Sequence, residues 1–223
     1  HCQASTRIYL WAAMTTLPDS IAATIAAQPG VQRVPTPKAM LFQRKRFVTP
    51  DLAEELITLI EAGRRPSTIA DDNGDAYFRT SETCDLDPDE PVVRDLEARL
   101  HALNRIDPAH GEPVQGQRYD VGQEFKAHTD YFEPGGIDFD RYCSVAGQRT
   151  WTFMVYLNAV EAGGGTRFGV PKKIIQPEPG KLLAWNNRRP DGRPNPNTLH
   201  HGMKVRRGVK YVITKWYRER PWG

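Results

Sequence analysis

His128, Asp130 and His200 are the residues of this chain best suited by type and spacing to hold a metal ion, and Lys210 follows ten positions after the last of them. Two imidazoles and one carboxylate on one side of an octahedral ion leave the opposite positions open to a co-substrate and O2, an arrangement suited to redox chemistry at non-haem Fe(II). Side chains alternate along an extended strand, so His128 and Asp130 face the same side and can share one ion, while Thr129 faces away. His201 competes with His200 for the distal position. The same donors suit Zn2+, but a zinc hydrolase needs a general base near the open position, and His201 is expected to alternate to the other face of its strand.

Lys210 gains a chemical purpose if the co-substrate is a dicarboxylate such as 2-oxoglutarate. Its 1-carboxylate and keto oxygen can chelate the metal, while the far carboxylate needs a buried cation and a hydroxyl donor to offset its desolvation. Lys210 supplies the cation in this reading and Tyr119 the hydroxyl. Gly208 can make a tight hairpin turn, returning Lys210 alongside the strand that carries His200.

The elements that must position these groups divide the chain in two. Strand candidates occupy 117–120, 124–128, 150–158, 174–176, 181–185 and 209–217, short runs rich in β-branched and aromatic residues and separated by Gly, Pro or Asn. The first half is helical in character. Thr49, Pro50 and Asp51 form a helix start, and Leu52, Leu56, Ile57, Leu59 and Ile60 make an apolar stripe that ends at Gly63. A second helix runs from Pro91 through Val93, Leu96, Leu100 and Leu103, and an earlier one lies near 21–27. The fold class is α+β and mainly β, with a helical support region over 1–114 packed on a core over 115–223 as one compact domain. The Pro-rich stretch 189–197 is a loop leading to His200, and 134–147, with glycines at both ends, is a candidate mobile lid.

With 223 residues the chain can bury a substantial core. Its 30 basic against 27 acidic residues leave a net charge of +3, interspersed rather than blocked, so no polybasic run points to nucleic acid or a membrane. Three cysteines, Cys2, Cys84 and Cys143, form no CxxC pair and are too few for a disulfide scaffold, which favours a reducing compartment. The apolar run 8–14 is too short to span a bilayer. A cytoplasmic protein is expected.

Taken in order, Tyr119, Gly122, His128, Asp130, Arg149, Thr152, Tyr156-Leu157-Asn158, Gly163-Gly164-Gly165-Thr166-Arg167-Phe168, Pro179-Gly180, His200, Gly202, Val205, Gly208, Lys210 and Trp216 resemble the prolyl 4-hydroxylase branch of the 2-oxoglutarate and Fe(II)-dependent dioxygenases. The resemblance covers about residues 115–218. It implies a double-stranded β-helix, a jelly-roll of two facing antiparallel sheets with supporting helices outside. It also implies hydroxylation of an unactivated C–H bond, coupled to conversion of 2-oxoglutarate and O2 into succinate and CO2, with Fe(II) and L-ascorbate as requirements. Carried over residue by residue, His128, Asp130 and His200 are the iron ligands, Lys210 and Tyr119 hold the far carboxylate, and Thr166 lies near the co-substrate. His200 is preferred to His201 because that register places Gly202, Gly208 and Lys210 on the family pattern.

For the substrate, Arg79 and Ser81 resemble the Arg-x-Ser segment that lines the peptide groove, Arg149 resembles an interior arginine near the substrate, and Tyr131 and Trp216 are candidate aromatic walls. A peptide or protein containing proline is the implied partner. Three departures, Lys204 for the usual proline, Tyr211 for tryptophan and Arg218 for histidine, bear on proline specificity and leave the metal chemistry intact. A nucleic-acid demethylase of the same superfamily would be expected to hold its co-substrate with arginine, against which Lys210 argues. A free amino acid or metabolite substrate, or a non-catalytic metal-binding module, are the remaining readings.

Overall fold

The computed structural model describes residues 17–67, 77–136, 138–170 and 172–223. The apolar run 8–14 and Cys2 lie outside the described residues. Two antiparallel sheets form the frame. The larger has eight strands in the order Val31–Arg33, Leu41–Arg44, Leu182–Asn186, Arg149–Tyr156, Lys210–Arg218, Gln115–Tyr119, Glu82–Asp85 and Arg65–Pro66. The smaller has four, Ile174–Ile175, Thr166–Phe168, His200–Gly202 and Phe125–His128, and a separate pair joins Val205–Arg207 to Ala162–Gly163.

Strand alternation makes two cores from one sheet. In Arg149–Tyr156, Trp151, Phe153 and Val155 point to the helical side and pack with Leu56, Ile60, Leu96 and Leu100. Met154 and Tyr156 point the other way and pack with Phe168, Ile175 and Val205 from the opposing layers. The result is a jelly-roll whose larger sheet is buried on both faces.

The helices on the outer face form where their sequences require. Helix α1 covers Leu17–Ala26, α2 Pro50–Gly63 and α3 Pro91–Asn104. Thr49 Oγ1 accepts the Leu52 N–H at 3.3 Å, with Pro50 beginning the helix. Leu52, Ala53, Leu56 and Ile60 form its buried stripe. Arg105 closes α3 in the left-handed region at φ 57°, its N–H on His101 O. Thr49→Ala should lower the unfolding free energy by about 1 kcal/mol. That is a reduced urea midpoint at constant slope, and an unmoved midpoint would show that the cap contributes nothing.

Two expectations need correction. The first 114 residues are not purely helical: Val31–Arg33, Leu41–Arg44, Arg65–Pro66 and Glu82–Asp85 extend both edges of the larger sheet. Being two to four residues long, they are too short to show a clear period of two. Gly208 turns the chain at φ +84° as expected, but the strands on either side of it do not pair with each other. Val205–Arg207 pairs with Ala162–Gly163, and Lys210 pairs with Tyr119. Lys210 and His200 therefore sit on opposite sheets and meet across the gap, not on adjacent strands.

The segment 134–147 contains a short helix, α4 at Phe139–Cys143. The chain's last residues hold it: Arg218 Nη2 donates to Tyr142 O, and Arg220 donates to the carbonyls of Cys143, Ser144 and Val145. Cys84 and Cys143 are buried thiols, free of disulfides. No helix among the described residues is long and apolar enough to cross a membrane.

Candidate metal centre and its pocket

The small sheet presents two imidazoles side by side. His128 ends the Phe125–His128 strand and His200 begins His200–Gly202, and the two are direct register partners with ring centroids 4.3 Å apart. Asp130 follows two residues after His128, on the loop that leaves the strand. One ligand atom from each of the three lies within 4.8 Å of the others.

Hydrogen bonding settles which atoms face inward. His128 Nδ1 is 2.7 Å from Lys126 O and His200 Nδ1 is 2.9 Å from Thr198 O. A carbonyl only accepts, so each Nδ1 carries a proton, and in the neutral ring Nε2 is then the atom with a lone pair to offer. Asp130 Oδ2 accepts the Thr152 hydroxyl at 2.7 Å, leaving Oδ1 facing both Nε2 atoms at 3.7 and 3.8 Å. Three acceptors thus converge with no donor between them, an arrangement that repels itself unless a cation sits among them. This donor set fits a divalent metal ion, and the Nδ1 bonds to backbone carbonyls are the support that metal-binding histidines generally carry.

Burial and charge keep His128 and Asp130 in metal-ready protonation states. Burial, reinforced by His200, pushes the His128 imidazole down to about 3, so it is neutral at physiological pH. For Asp130, burial pushes the carboxyl up, but His200, His128, Arg149 and the Thr152 hydrogen bond outweigh it and hold the group below its ordinary range. Arg149 lies beside this loop with its Nη1 3.4 Å from Asp130 O, its guanidinium gripped by Glu112 at 2.6 and 2.8 Å and stacked 4.0 Å over Trp216.

Beyond the triad a pocket runs between the sheets, and Tyr119, Thr166, Lys210 and Trp216 line it together with all three candidate ligands. Lys210 is 2% exposed and has no anionic partner among the described residues. Its Nζ sits 4.6 Å from the Tyr119 ring centroid and 5.7 Å from that of Tyr156, and burial pushes its ammonium down to about 7. The Tyr119 hydroxyl donates to Gln117 Oε1 at 2.8 Å, so its ring, rather than its oxygen, faces the lysine. Thr166 Oγ1 accepts from Tyr156 at 2.6 Å, which leaves its own proton free to donate.

The remaining candidates lie around this pocket. Arg79 sits 4.9 Å over the Phe125 ring and donates to Ser81 Oγ at 3.1 Å, and Phe125 itself stacks on His128. Tyr131 is half-buried on the loop after Asp130, and His201 turns away to pair with Glu124 at 2.9 Å. Residues not singled out in the sequence also line the pocket, among them Gln117, Met154, Trp185, Val212 and Thr214. Glu112, which holds both Arg149 and the buried Arg218, carried no sequence signal, being a lone acid between Gly111 and Pro113.

Comparison with known proteins agrees with this geometry. Residues 114–218 match the model of the 2OG-Fe(II) oxygenase superfamily. Prolyl 4-hydroxylase 5 of Arabidopsis thaliana is 31% identical over 207 residues, covering 81% of this chain and 68% of its own. Probable prolyl 4-hydroxylase 10 of the same plant is 30% identical over 207 residues, covering 82% and 69%. Among solved structures, the viral collagen prolyl hydroxylase from Paramecium Bursaria Chlorella virus-1, in its 2OG complex, superposes with a TM-score of 0.62 at 26% identity over 80% of this chain and 95% of that one. A prolyl hydroxylase from Trichoplax adhaerens, in complex with a hypoxia inducible factor oxygen degradation domain peptide fragment, has the same fold at a TM-score of 0.61 and 14% identity, covering 91% and 89%.

Proposed function

Since this chain belongs to the prolyl 4-hydroxylase family within the 2OG-Fe(II) oxygenase superfamily, we propose that it hydroxylates a peptidyl proline at a site built by His128, Asp130 and His200. The single observation that carries the site assignment is the convergence of two Nε2 atoms and one carboxylate oxygen on a common point. Bound there, Fe(II) would supply oxidative decarboxylation of 2-oxoglutarate by O2 and delivery of one oxygen atom to a C–H bond.

The chain's own residues divide the other tasks. Lys210 neutralises the far carboxylate of 2-oxoglutarate, and Thr166 donates a hydroxyl proton to it. Tyr119 contributes its ring to the walls of that end and, once Gln117 releases it, its hydroxyl. The buried, largely apolar pocket keeps water from the reacting atoms, which limits side reactions. Arg149 and Trp216, stacked beside the metal site, form one wall for the substrate ring, with Tyr131 and Arg79 as outer contacts for the peptide; Ser81, itself buried, holds Arg79 instead of meeting the peptide. A peptide substrate is supported by the peptide-bound relative. L-ascorbate as a reductant and a cytoplasmic location belong to the same proposal.

The test is succinate formation by the purified protein with Fe(II), ascorbate and 2-oxoglutarate, with and without proline-containing peptides. Peptide-stimulated turnover, with the mass of the peptide raised by one oxygen, is the expected result. Slow peptide-independent turnover would retain the oxygenase and reject peptidyl proline. No succinate with iron demonstrably bound would favour a non-catalytic metal-binding module.

A further inference from the structure

Thr152 is wholly buried, and the register of the larger sheet sets it directly between Trp185 on one neighbouring strand and Trp216 on the other. Its hydroxyl meets two groups. Asn187, also wholly buried, donates Nδ2–H to Thr152 Oγ1 at 2.9 Å, and Thr152 donates to Asp130 Oδ2 at 2.7 Å. We infer that Asn187 and Thr152 are positioning residues which form a one-way hydrogen-bond relay and thereby make Asp130 a monodentate metal ligand through Oδ1.

The direction of the relay follows from donor and acceptor counting. An ionised carboxylate has no proton to give, so the single Thr152 proton must point to Asp130 if Oδ2 is to be satisfied. Thr152 Oγ1 then has only lone pairs left, and the neighbour on its other side must be a donor. The Asn187 amide meets that requirement, and its backbone is held in place by its N–H on Thr150 O at 2.8 Å and by its carbonyl, which accepts from Asn195 N–H at 2.9 Å. With the amide N–H donating into its lone pairs, the hydroxyl keeps its proton on the carboxylate. Oδ2 is therefore occupied, while Oδ1 alone faces the two imidazoles. A bidentate Asp130 would take up one of the positions that the co-substrate and O2 need.

The inference rests on the metal-site reading above, and the experiment separates the two. Co(II) affinity of the metal-free protein, measured by titration calorimetry, is the primary readout, with thermal melting as a check on folding. Thr152→Val should weaken Co(II) by roughly 10- to 100-fold, the usual cost of losing a hydrogen bond to a metal ligand. Thr152→Ser, which keeps the hydroxyl, should bind within a few-fold of the unaltered protein. Asn187→Leu should weaken Co(II) several-fold in the unaltered background and have no further effect in the Thr152→Val background, because its action passes through the hydroxyl. An equal Asn187→Leu effect in both backgrounds, unaltered affinity in Thr152→Val, or loss of affinity in a well-folded Thr152→Ser would each overturn the relay. If Thr152→Val does not fold, Thr152→Ser and Asn187→Leu still decide: the relay requires retention in the first and weakening in the second, and any other pattern overturns it. His128→Ala serves as the control for the site itself. Loss of Co(II) binding there with full binding in Thr152→Val rejects only the relay, whereas retained binding in His128→Ala rejects the metal site and the relay with it.

Discussion

Asp130→Ala should abolish succinate formation, lowering turnover by on the order of a thousandfold or more, which corresponds to at least about 4 kcal/mol of lost stabilisation. His128→Ala should do the same. The reason lies in the convergence at the site: with one of three donors gone, a divalent ion keeps two protein ligands and no longer has a fixed open face. The fold should survive, because each variant gives up a single hydrogen bond, Thr152 to Asp130 Oδ2 or His128 Nδ1 to Lys126 O, and at the same time relieves the crowding of ligand atoms that face one another without a metal. The paired measurement is thermal melting with and without Co(II). The unaltered protein gains about 4 kcal/mol of stability at a thousand times its dissociation constant. Neither variant should gain. Full turnover in either would sink the ligand assignment, and a collapse of the metal-free melting temperature would show that the residues hold the fold rather than the ion.

The chemistry of this site was more legible in the sequence than the elements carrying it. His128 and Asp130 could be paired because period-two alternation is a local property, and the two are only two residues apart. The position of Lys210 was harder to read. A glycine turn was visible at Gly208, but nothing local says that Val205–Arg207 pairs with Ala162–Gly163, some forty residues earlier, rather than with the strand that follows. Non-local pairing of that kind is what separates a jelly-roll from a plain meander, and hydrophobic pattern alone does not encode it.

Alternation also contained more of the pocket than Lys210 and Trp216. Counting by twos along Lys210–Arg218 gives Lys210, Val212, Thr214 and Trp216, all four of which line it. The same count through Arg149–Tyr156 gives Thr152, Met154 and Tyr156 on the inner face. Glu112 and Asn187 are different. Each matters through a partner distant in sequence, Arg149 or Arg218 for the first and Thr152 for the second, and a single polar residue carries no period to mark it.

Lys210→Met is the second large effect expected, and its two consequences have opposite signs. Affinity for 2-oxoglutarate should fall by roughly two to three orders of magnitude, since a buried carboxylate left without its cation loses about 2–5 kcal/mol. The protein without co-substrate should become more stable, by about 1–4 kcal/mol near neutral pH, because methionine fills the same space without a buried charge. Both follow from the setting of Lys210 between the faces of Tyr119 and Tyr156, with no anion to meet it among the described residues. Burial pushes its ammonium to about 7, whereas in the unfolded chain it titrates near ~10.4. Below pH 7 both states are protonated, and the folded state bears the whole cost of the charge. Between about 7 and 10 the unfolded chain binds the extra proton, so stability rises with pH by about 1.4 kcal/mol per unit. Co-substrate affinity runs the other way. The dicarboxylate needs the protonated lysine, so affinity should be flat below pH 7 and fall about tenfold per unit above it. Calorimetric titration of 2-oxoglutarate into the Co(II) form from pH 6 to pH 9, beside urea melts of the metal-free protein over the same range, measures both slopes. In Lys210→Met both slopes should vanish. A co-substrate affinity independent of pH in the unaltered protein, or near-normal affinity in Lys210→Met, would mean that the far carboxylate is held elsewhere.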